Sequence, residues 1–328
     1  MSERVLVTGG AGFIGSVVAT QLLEQGYEVV VYDNLSHGNR SAVPPGAELV
    51  VDDVGNRDGL DRVLRAHAVD AVMHFAAFIE AGESMREPAR YFRNNTASTL
   101  TLLEAVLEHE LPRFVFSSTA AVYGTPERTP IEETDPLRPT NVYGESKLCV
   151  ERMLDWFHRI HGLRYASLRY FNAAGASGSR GEDHRPESHL IPLALEVALG
   201  KRDRIAIYGT DYPTPDGSCI RDYIHVADLA TAHLRVLGAL NDQDKMIYNL
   251  GNGHGFSVRE VIEAVRRVTH HPIPVQETDR RPGDPSVLVA SSARIQRELG
   301  WRPRLTDLED IVSSAWDWRR AHPGGYCG

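Results

Sequence analysis

A doubly wound, parallel α/β sheet of the Rossmann type is the fold that this 328-residue chain predicts, on three features. A short apolar strand, Arg4 to Thr8, runs straight into Gly9-Gly10-Ala11-Gly12-Phe13-Ile14-Gly15 and then into a helical pattern. Strand and helix patterns alternate six times up to Leu168-Arg169-Tyr170, the mark of a parallel sheet whose crossovers are helices. A second apolar strand, Glu28 to Tyr32, ends on Asp33, at the distance expected of an acid that hydrogen-bonds an adenosine ribose.

Glycines 9, 12 and 15 permit a tight turn and the close approach of a diphosphate, and the helix behind them, entered through Phe13 and Ile14, aims free amides and its positive dipole end at that group. Ile14, Val17, Val18, Leu22 and Leu23 have helical spacing over Phe13 to Gln25, and Gly26 stands where helices stop. The Asp33 carboxylate repels a 2′-phosphate and so favours NAD over NADP. A turn-rich stretch from Asn34 to Pro45 leads to a strand at Glu48 to Val51, then Asp52-Asp53-Val54 and a helix around Leu60 to Ala66. Asp53 either meets the adenine amino group or is the acidic start of that helix. The strand Ala71 to Phe75 is followed by Ala76 and Ala77, small enough for a flat ring to lie against the backbone. A helix from about Ala89 to Glu110 comes next. The strand Arg113 to Phe116 then runs into Ser117-Ser118-Thr119 at its carboxyl end, the rim where open parallel sheets bind ligands.

A helix over Asn141 to His161 carries Tyr143-Gly144-Glu145-Ser146-Lys147. Groups four residues apart on a helix lie on one face. A free tyrosine ionises near ~10, so its use as a base at neutral pH needs a downward shift of roughly 3 units, about 4 kcal/mol, which a neighbouring ammonium supplies. Alone, the pair reads as an ordinary surface Tyr and Lys. The glycine turn, the ribose acid and the Thr119 rim in the same unit favour catalysis, with Thr119 as third member.

Beyond Phe171-Asn172 the texture changes. Gly175 to Pro192 is a polar loop, Gly209 to Arg221 another with Pro213, Pro215 and Gly217, and long polar loops in compact enzymes serve binding. A helix near Val226 to Leu240 and a strand at Met246 to Leu250 resume sheet-type structure, while Phe256 to Val268, Ala293 to Leu299 and Leu308 to Arg319 read as short helices. The expected division is a cofactor domain over 1–172 and 223–251 and a smaller, discontinuous α/β lobe over 173–222 and 252–328.

A net charge of −9 and a pI near 5.9 argue against a nucleic-acid surface. Cys149, Cys219 and Cys327 form neither a disulfide framework nor a thiolate site, which points to the reducing cytoplasm. No apolar run approaches the ~18 residues of a membrane span, and no room is left for a signal-peptide core. His184 with His189, and His270 with His271, lack zinc-site spacing with a third donor, so no metal is expected. His74 and His225 read as structural.

Thr8 to Gly15, Asp33-Asn34, His74-Phe75-Ala76-Ala77, Ser117-Ser118-Thr119, Tyr143 to Lys147 and Leu168 to Asn172 resemble the extended short-chain dehydrogenase/reductase superfamily. Gly181-Glu182-Asp183, His189 to Pro192, Asp211 to Gly217, Arg221 to Val226 and Arg280-Arg281-Pro282-Gly283-Asp284 are similar to UDP-glucose 4-epimerases. The resemblance covers almost the whole chain. It implies that Tyr143 takes the proton of the sugar 4-hydroxyl while carbon 4 gives a hydride to tightly bound NAD. The 4-keto sugar then turns over and receives the hydride on its other face. Lys147 holds the nicotinamide ribose and depresses the Tyr143 pKa, and Thr119 hydrogen-bonds the reacting oxygen. The implied NAD contacts are Gly9, Gly12, Phe13, Ile14, Gly15, Asp33, Asn34, Asp53, Val54, Phe75, Ala76, Ala77, Asn94, Ser117, Tyr143, Lys147 and Tyr170. Asn172, His189, Leu190, Ala206, Tyr208 and Tyr223 are implied to meet the UDP-sugar with Asp284, and Arg221 and Arg281 to grip its diphosphate. The family often has Asn where His189 stands. Leu288 is either a gate beside the sugar 2-substituent or an apolar strand residue. Relatives that dehydrate or decarboxylate carry an acid just after the strand-end Thr, where this chain has Ala120 and Ala121. The helices Ala89 to Glu110 and Asn141 to His161 are implied to pair in a homodimer. The rival readings are another UDP-sugar epimerase, for N-acetylhexosamines or pentoses, and a non-catalytic NAD-sensing regulator. Tyr143, Lys147 and Thr119 together speak against the regulator.

Overall fold

Seven parallel strands make the central sheet of the computed structural model, which describes residues 2–281 and 284–326. β1 (Arg4–Thr8), α1 (Phe13–Glu24), β2 (Glu28–Tyr32), β3 (Glu48–Val50), α2 (Arg57–Ala66) and β4 (Ala71–His74) follow in the expected order. β1 is buried on both sides. Val5 and Val7 enter the core shared with α1, and Leu6 points to the opposite core with Leu60 and Leu102. This is why β1 reads as a continuous apolar run rather than an alternation.

Two short helices, α3 (Ala81–Ser84) and α4 (Pro88–Tyr91), precede a π-helical turn at Phe92–Ala97 and α5 (Ser98–Glu108). The sequence pattern predicts one continuous helix here. The interruption has a cause in the buried Asn95, whose side chain accepts from Phe78 N at 2.9 Å and donates to Phe78 O at 3.0 Å and Ser146 Oγ at 3.1 Å. The extra residue in the turn points Asn95 inward, and such bulges recur at functional sites.

β5 (Arg113–Thr119), α6 (Val142–His161) and β6 (Arg164–Tyr170) complete the first half, with β5 running through the whole Ser-Ser-Thr rim. The chain continues through β7 (Asn172–Ala174), α7 (Leu190–Ala198), β8 (Ile205–Tyr208), β9 (Ile220–His225), α8 (Val226–Ala239) and β10 (Lys245–Leu250). It ends with β11 (Gly255–Ser257), α9 (Val258–Thr269), β12 (Val275–Thr278), β13 (Val287–Leu288), α10 (Ala293–Leu299) and α11 (Leu308–Ala321). The main sheet has the order β10-β6-β5-β4-β1-β2-β3. The order reverses beside β1, and ligands of open α/β sheets bind at such a switch point.

In the second half, β9 pairs with β7, β11 and β13, and β8 pairs with β12. α7 starts at Leu190, inside the stretch read as loop through Pro192. Pro192 is tolerated there because first-turn N–H groups have no helical partner. α9 starts at Val258 rather than Phe256, because Ser257 and Glu260 cap each other's backbone reciprocally. Among the described residues no helix is long and apolar enough to cross a membrane. Cys149 and Cys219 are free thiols. Cys327, Pro282 and Gly283 lie outside the described residues.

Candidate active site

The carboxyl ends of β1, β2, β4, β5 and β6 open on a cavity of about 330 Å³. All the residues expected to contact NAD line it, from Gly9, Gly12, Phe13, Ile14 and Gly15 through Asp33, Asn34, Asp53, Val54, Phe75, Ala76, Ala77 and Asn94 to Ser117, Tyr143, Lys147 and Tyr170. The glycines are required by packing. A Cβ on Gly15 would sit 2.3 Å from Gly9 O, and one on Gly9, at φ +69°, would sit 2.5 Å from Ala76 N. α1 begins at Gly12 without a side-chain cap, so the first amides of the helix are left for an anion. Asp33 accepts from Ala11 N at 3.0 Å and Leu35 N at 2.8 Å. Burial raises its pKa while those two amides pull it down. An uncapped helix start, a glycine floor and a fixed carboxylate at the end of β2 fit the diphosphate and ribose of NAD.

Asp53 does not start a helix. Asn56 caps α2, accepting from Gly59 N, and Asp53 instead accepts from Asn34 Nδ2 and Gly55 N, each at 2.7 Å. His74 is satisfied between Thr8 Oγ1 at 2.6 Å and Thr99 Oγ1 at 2.8 Å, and burial holds it neutral, near pKa 3. His225 likewise accepts from Ala227 N and meets Ser314 Oγ.

Asn141 caps α6, accepting from Gly144 N at 2.8 Å, and so fixes where Tyr143 and Lys147 enter the cavity. Gly144 lets the helix lie against the rim, since a Cβ there would stand 2.5 Å from Ala121 O. Lys147 is buried, donates to Ser117 O at 2.8 Å and lies 4.9 Å from the centre of the Phe116 ring. Burial pushes its pKa down to about 7. Burial pushes the Tyr143 phenol up to about 12, against a hydrogen bond from Thr119 and with a further rise from Glu80. The expected depression of Tyr143 by Lys147 is therefore not a property of the protein alone. Desolvation drives both groups toward neutrality.

A buried ion pair stiffens the rim from behind. Arg169 meets Glu151 through two contacts, Nε–Oε1 at 3.0 Å and Nη2–Oε2 at 2.6 Å, and Ser118 Oγ donates to the same Oε1 at 2.5 Å. Arg169 also donates to Tyr123 Oη, which in turn donates to Asn249. Sequence reasoning missed Glu151, although it follows Lys147 by the spacing that separates Lys147 from Tyr143. It also missed Glu80, which lines the cavity in the loop after β4.

A second cavity, of about 1240 Å³, is lined by Asn172, His189, Leu190, Ala206, Tyr208, Arg221, Tyr223, Arg281 and Asp284. It shares Glu80, Asn172, Glu182 and His189 with the first, so the two form one crevice. Arg221 Nη2 lies 3.3 Å from Asp284 Oδ1, and the Arg281 guanidinium covers the Tyr208 ring at 3.8 Å. Thr119 lines the first cavity. Leu288 lines neither. It pairs with Arg221 on β9 and packs with Phe171 against Val122, Tyr123, Ile131 and Leu148, as an apolar strand residue does. His184 and His189, set aside as ligands on spacing, are brought beside Glu182 and Glu187.

Residues 5–251 match the model of the NAD dependent epimerase/dehydratase family. The chain is 53% identical over 325 residues to a UDP-glucose 4-epimerase of Halalkalibacterium halodurans, covering 98% of this chain and 97% of that protein. It is 54% identical over 327 residues to a UDP-glucose 4-epimerase of Streptomyces lividans, covering 99% of each. The crystal structure of a UDP-glucose 4-epimerase from Bifidobacterium longum in complex with NAD+ and UDP superimposes with a TM-score of 0.94 at 39% identity, covering 98% of this chain and 99% of that one.

Proposed function

The chain belongs to the NAD dependent epimerase/dehydratase family, and from that premise we infer that it interconverts UDP-glucose and UDP-galactose with NAD. The observation that carries the reading is the convergence of Thr119, Tyr143 and Lys147 on one cavity whose rim continues with alanines. Removing a hydroxyl or a carboxylate after oxidation needs further acid-base or electrostatic help, which Ala120 and Ala121 cannot supply. Epimerisation needs a hydride and one proton.

NAD, when bound along Gly9 to Gly15 with its ribose at Asp33, supplies the hydride acceptor and later the donor. Tyr143 takes the proton of the sugar 4-hydroxyl and returns it after the 4-keto sugar has turned. Thr119 holds the reacting oxygen and the Tyr143 phenol together. Lys147, a hydrogen-bond donor fixed at Ser117 O, orients the nicotinamide ribose and places a protonatable amine beside the base. Arg221 and Arg281 grip the diphosphate with guanidinium forks, and Tyr208, Tyr223, Ala206 and Leu190 wall the uridine.

We assign residues 1–172 and 223–251 to the NAD domain and 173–222 and 252–328 to the UDP-sugar lobe, with β9 running across the boundary at 222. We place the protein in the cytoplasm, on its three cysteines without paired spacing, and pair it as a homodimer through α5 and α6. Four large apolar side chains stand exposed on those two helices and the π turn, Phe92, Leu100, Trp156 and Ile160. Light scattering reporting the monomer mass at working concentrations would reject the dimer. Incubation of purified protein with UDP-galactose tests the activity. UDP-glucose is the expected product, and a dehydrated sugar would end the reading.

A further inference from the structure

Between β7 and α7 the chain reads Gly181-Glu182-Asp183-His184-Arg185-Pro186-Glu187-Ser188-His189. No cysteine or third histidine completes a zinc pattern here, but the fold supplies two glutamates. One ligand atom from each of Glu182, His184, Glu187 and His189 lies within 4.8 Å of all the others. His184 Nδ1 and His189 Nδ1 stand 3.1 and 2.6 Å from the same oxygen, Glu182 Oε1, and His189 Nδ1 stands 3.4 Å from Glu187 Oε1.

These short approaches are not hydrogen bonds. Both buried Nδ1 atoms, and Glu187 Oε2 with them, lack a hydrogen-bond partner, because no N–H direction meets an oxygen. Rings that crowd one carboxylate without donating to it converge on a point between them. Donors around a tetrahedral ion with bonds of ~2.0–2.1 Å stand about 3.4 Å apart; the spacings here lie on both sides of that value, from 2.6 Å between His189 Nδ1 and Glu182 Oε1 to an upper bound of 4.8 Å, so the four donors shift slightly to take an ion.

Charge leads to the same place. The side chains of Glu182, Asp183 and Glu187 are only 7, 6 and 4% exposed. Among the described residues the buried guanidinium facing them is that of Arg319 on α11, 3.5 Å from Asp183 and 3.6 Å from Glu187, and Arg185 reaches Asp183 from the surface. Three buried carboxylates against one buried cation leave a negative excess that is costly in a low dielectric. Protonated imidazoles stand close enough to offset part of it by charge, but their Nδ1 atoms and Glu187 Oε2 would still lack a hydrogen-bond partner. An ion among the four donors balances it and also satisfies the orphaned atoms.

We propose that Glu182, His184, Glu187 and His189 bind a divalent cation of the zinc class in a closed, four-ligand structural site. Two imidazoles exclude the all-oxygen preference of magnesium and calcium, and four protein ligands leave no open position for catalysis. The ion ties the 182–189 loop to the start of α7, where His189 is the N-cap. Glu182 and His189 face both cavities. His189 is then a positioning residue that holds the crevice wall, not a partner of uracil.

The test reads metal and melting temperature, so it is independent of the epimerase reading. Tag-free protein is dialysed against zinc, then against metal-free buffer, and analysed by plasma mass spectrometry. We expect about one zinc per chain in the wild type and under ~0.2 in His184→Gln and Glu187→Gln, the loss expected when one of four ligands goes. Stripping wild-type protein with a chelator should lower its Tm by several degrees, and zinc should restore it. Under ~0.2 zinc in the wild type, equal retention by folded variants, or a Tm unmoved by chelator would each overturn the site. Should the variants fail to fold, the strip-and-restore cycle on the wild type still decides.

Discussion

Tyr143→Phe separates chemistry from binding at this site. The substitution keeps the ring and the backbone contact of Tyr143 N with Ser84 Oγ at 3.1 Å, and removes only the phenol oxygen and its hydrogen bond with Thr119. Thr119 Oγ1 still accepts from Ala121 N at 3.2 Å, so the structural loss is one hydrogen bond, ~1 kcal/mol. The catalytic loss is larger. With the phenol pushed up to about 12, ionising it at pH 7 costs ~7 kcal/mol in the protein alone, so the oxygen works only in concert with neighbouring positive charge. Removing it forfeits general-base catalysis, typically ~10²–10⁴-fold or about 3–5 kcal/mol. Turnover of UDP-galactose at saturation should fall at least ~100-fold. NAD released on denaturation and UDP affinity by calorimetry should stay near wild type. Turnover within ~3-fold of wild type would remove Tyr143 from the chemistry, and loss of NAD would make the hydroxyl structural.

Lys147→Met should change the pH dependence of stability. Burial lowers the Lys147 pKa from its ordinary 10.5 to about 7, so the folded chain binds fewer protons than the unfolded one between those values. Its cost to stability is complete below about pH 7 and fades as pH rises toward 10.5. Denaturant titration of NAD-stripped protein at pH 7 and 9 should show wild type gaining stability relative to Lys147→Met, and parallel curves would refute the burial argument. Glu151→Ala leaves the Arg169 guanidinium buried and unpaired, which should cost ~3–5 kcal/mol in urea unfolding, with much of it recovered when Arg169→Met is added. A loss under ~1 kcal/mol would mean that the pair is screened. Arg281→Ala removes a charge-assisted contact worth ~1.5–3 kcal/mol, so KM for UDP-galactose should rise by ~10–100-fold with kcat nearly unchanged. An equal fall in kcat would place Arg281 at the reacting end.

The half of the fold legible in the sequence is the half held by local rules. β1, the glycine turn and α1 are adjacent in the chain, and the stretch to β6 repeats one strand-helix unit whose helices show through their spacing. The second lobe is not built that way. β8 is four residues long and acquires its partner from β12, Val275 pairing with Ile205, so neither strand carries its own evidence. α7 hides behind a proline in its first turn. The convergence of Tyr143, Lys147 and Thr119 on one cavity was legible because Tyr143 and Lys147 share a helix face and Thr119 ends a strand. Asn95 and Glu80 were not, because their meaning comes from contacts across the fold, and the four donors Glu182, His184, Glu187 and His189 were not, because the loop's own turn brings their ligand atoms together. Cysteine and histidine spacings leave out Glu182, two residues before His184, and Glu187, between the two histidines.

The arrangement also bears on how one site can return a hydride to either face of a ketone. The groups proposed to meet the reacting oxygen stand on a braced rim. Lys147 is locked to Ser117 O, Ser118 is held by the Glu151–Arg169 pair, and α6 is pinned through Ser146 to Asn95. The residues assigned to the diphosphate, Arg221 on β9 and Arg281, line the second cavity instead. A substrate fixed at its diphosphate by Arg221 and Arg281 is anchored at the far end from the rim, and rotation about the bonds between diphosphate and sugar can swap the face shown to a carrier that does not move. Rigidity in the rim and anchorage at the diphosphate are therefore both required: a loose rim would misplace the proton, and a tightly held sugar would return its hydride to the face it left.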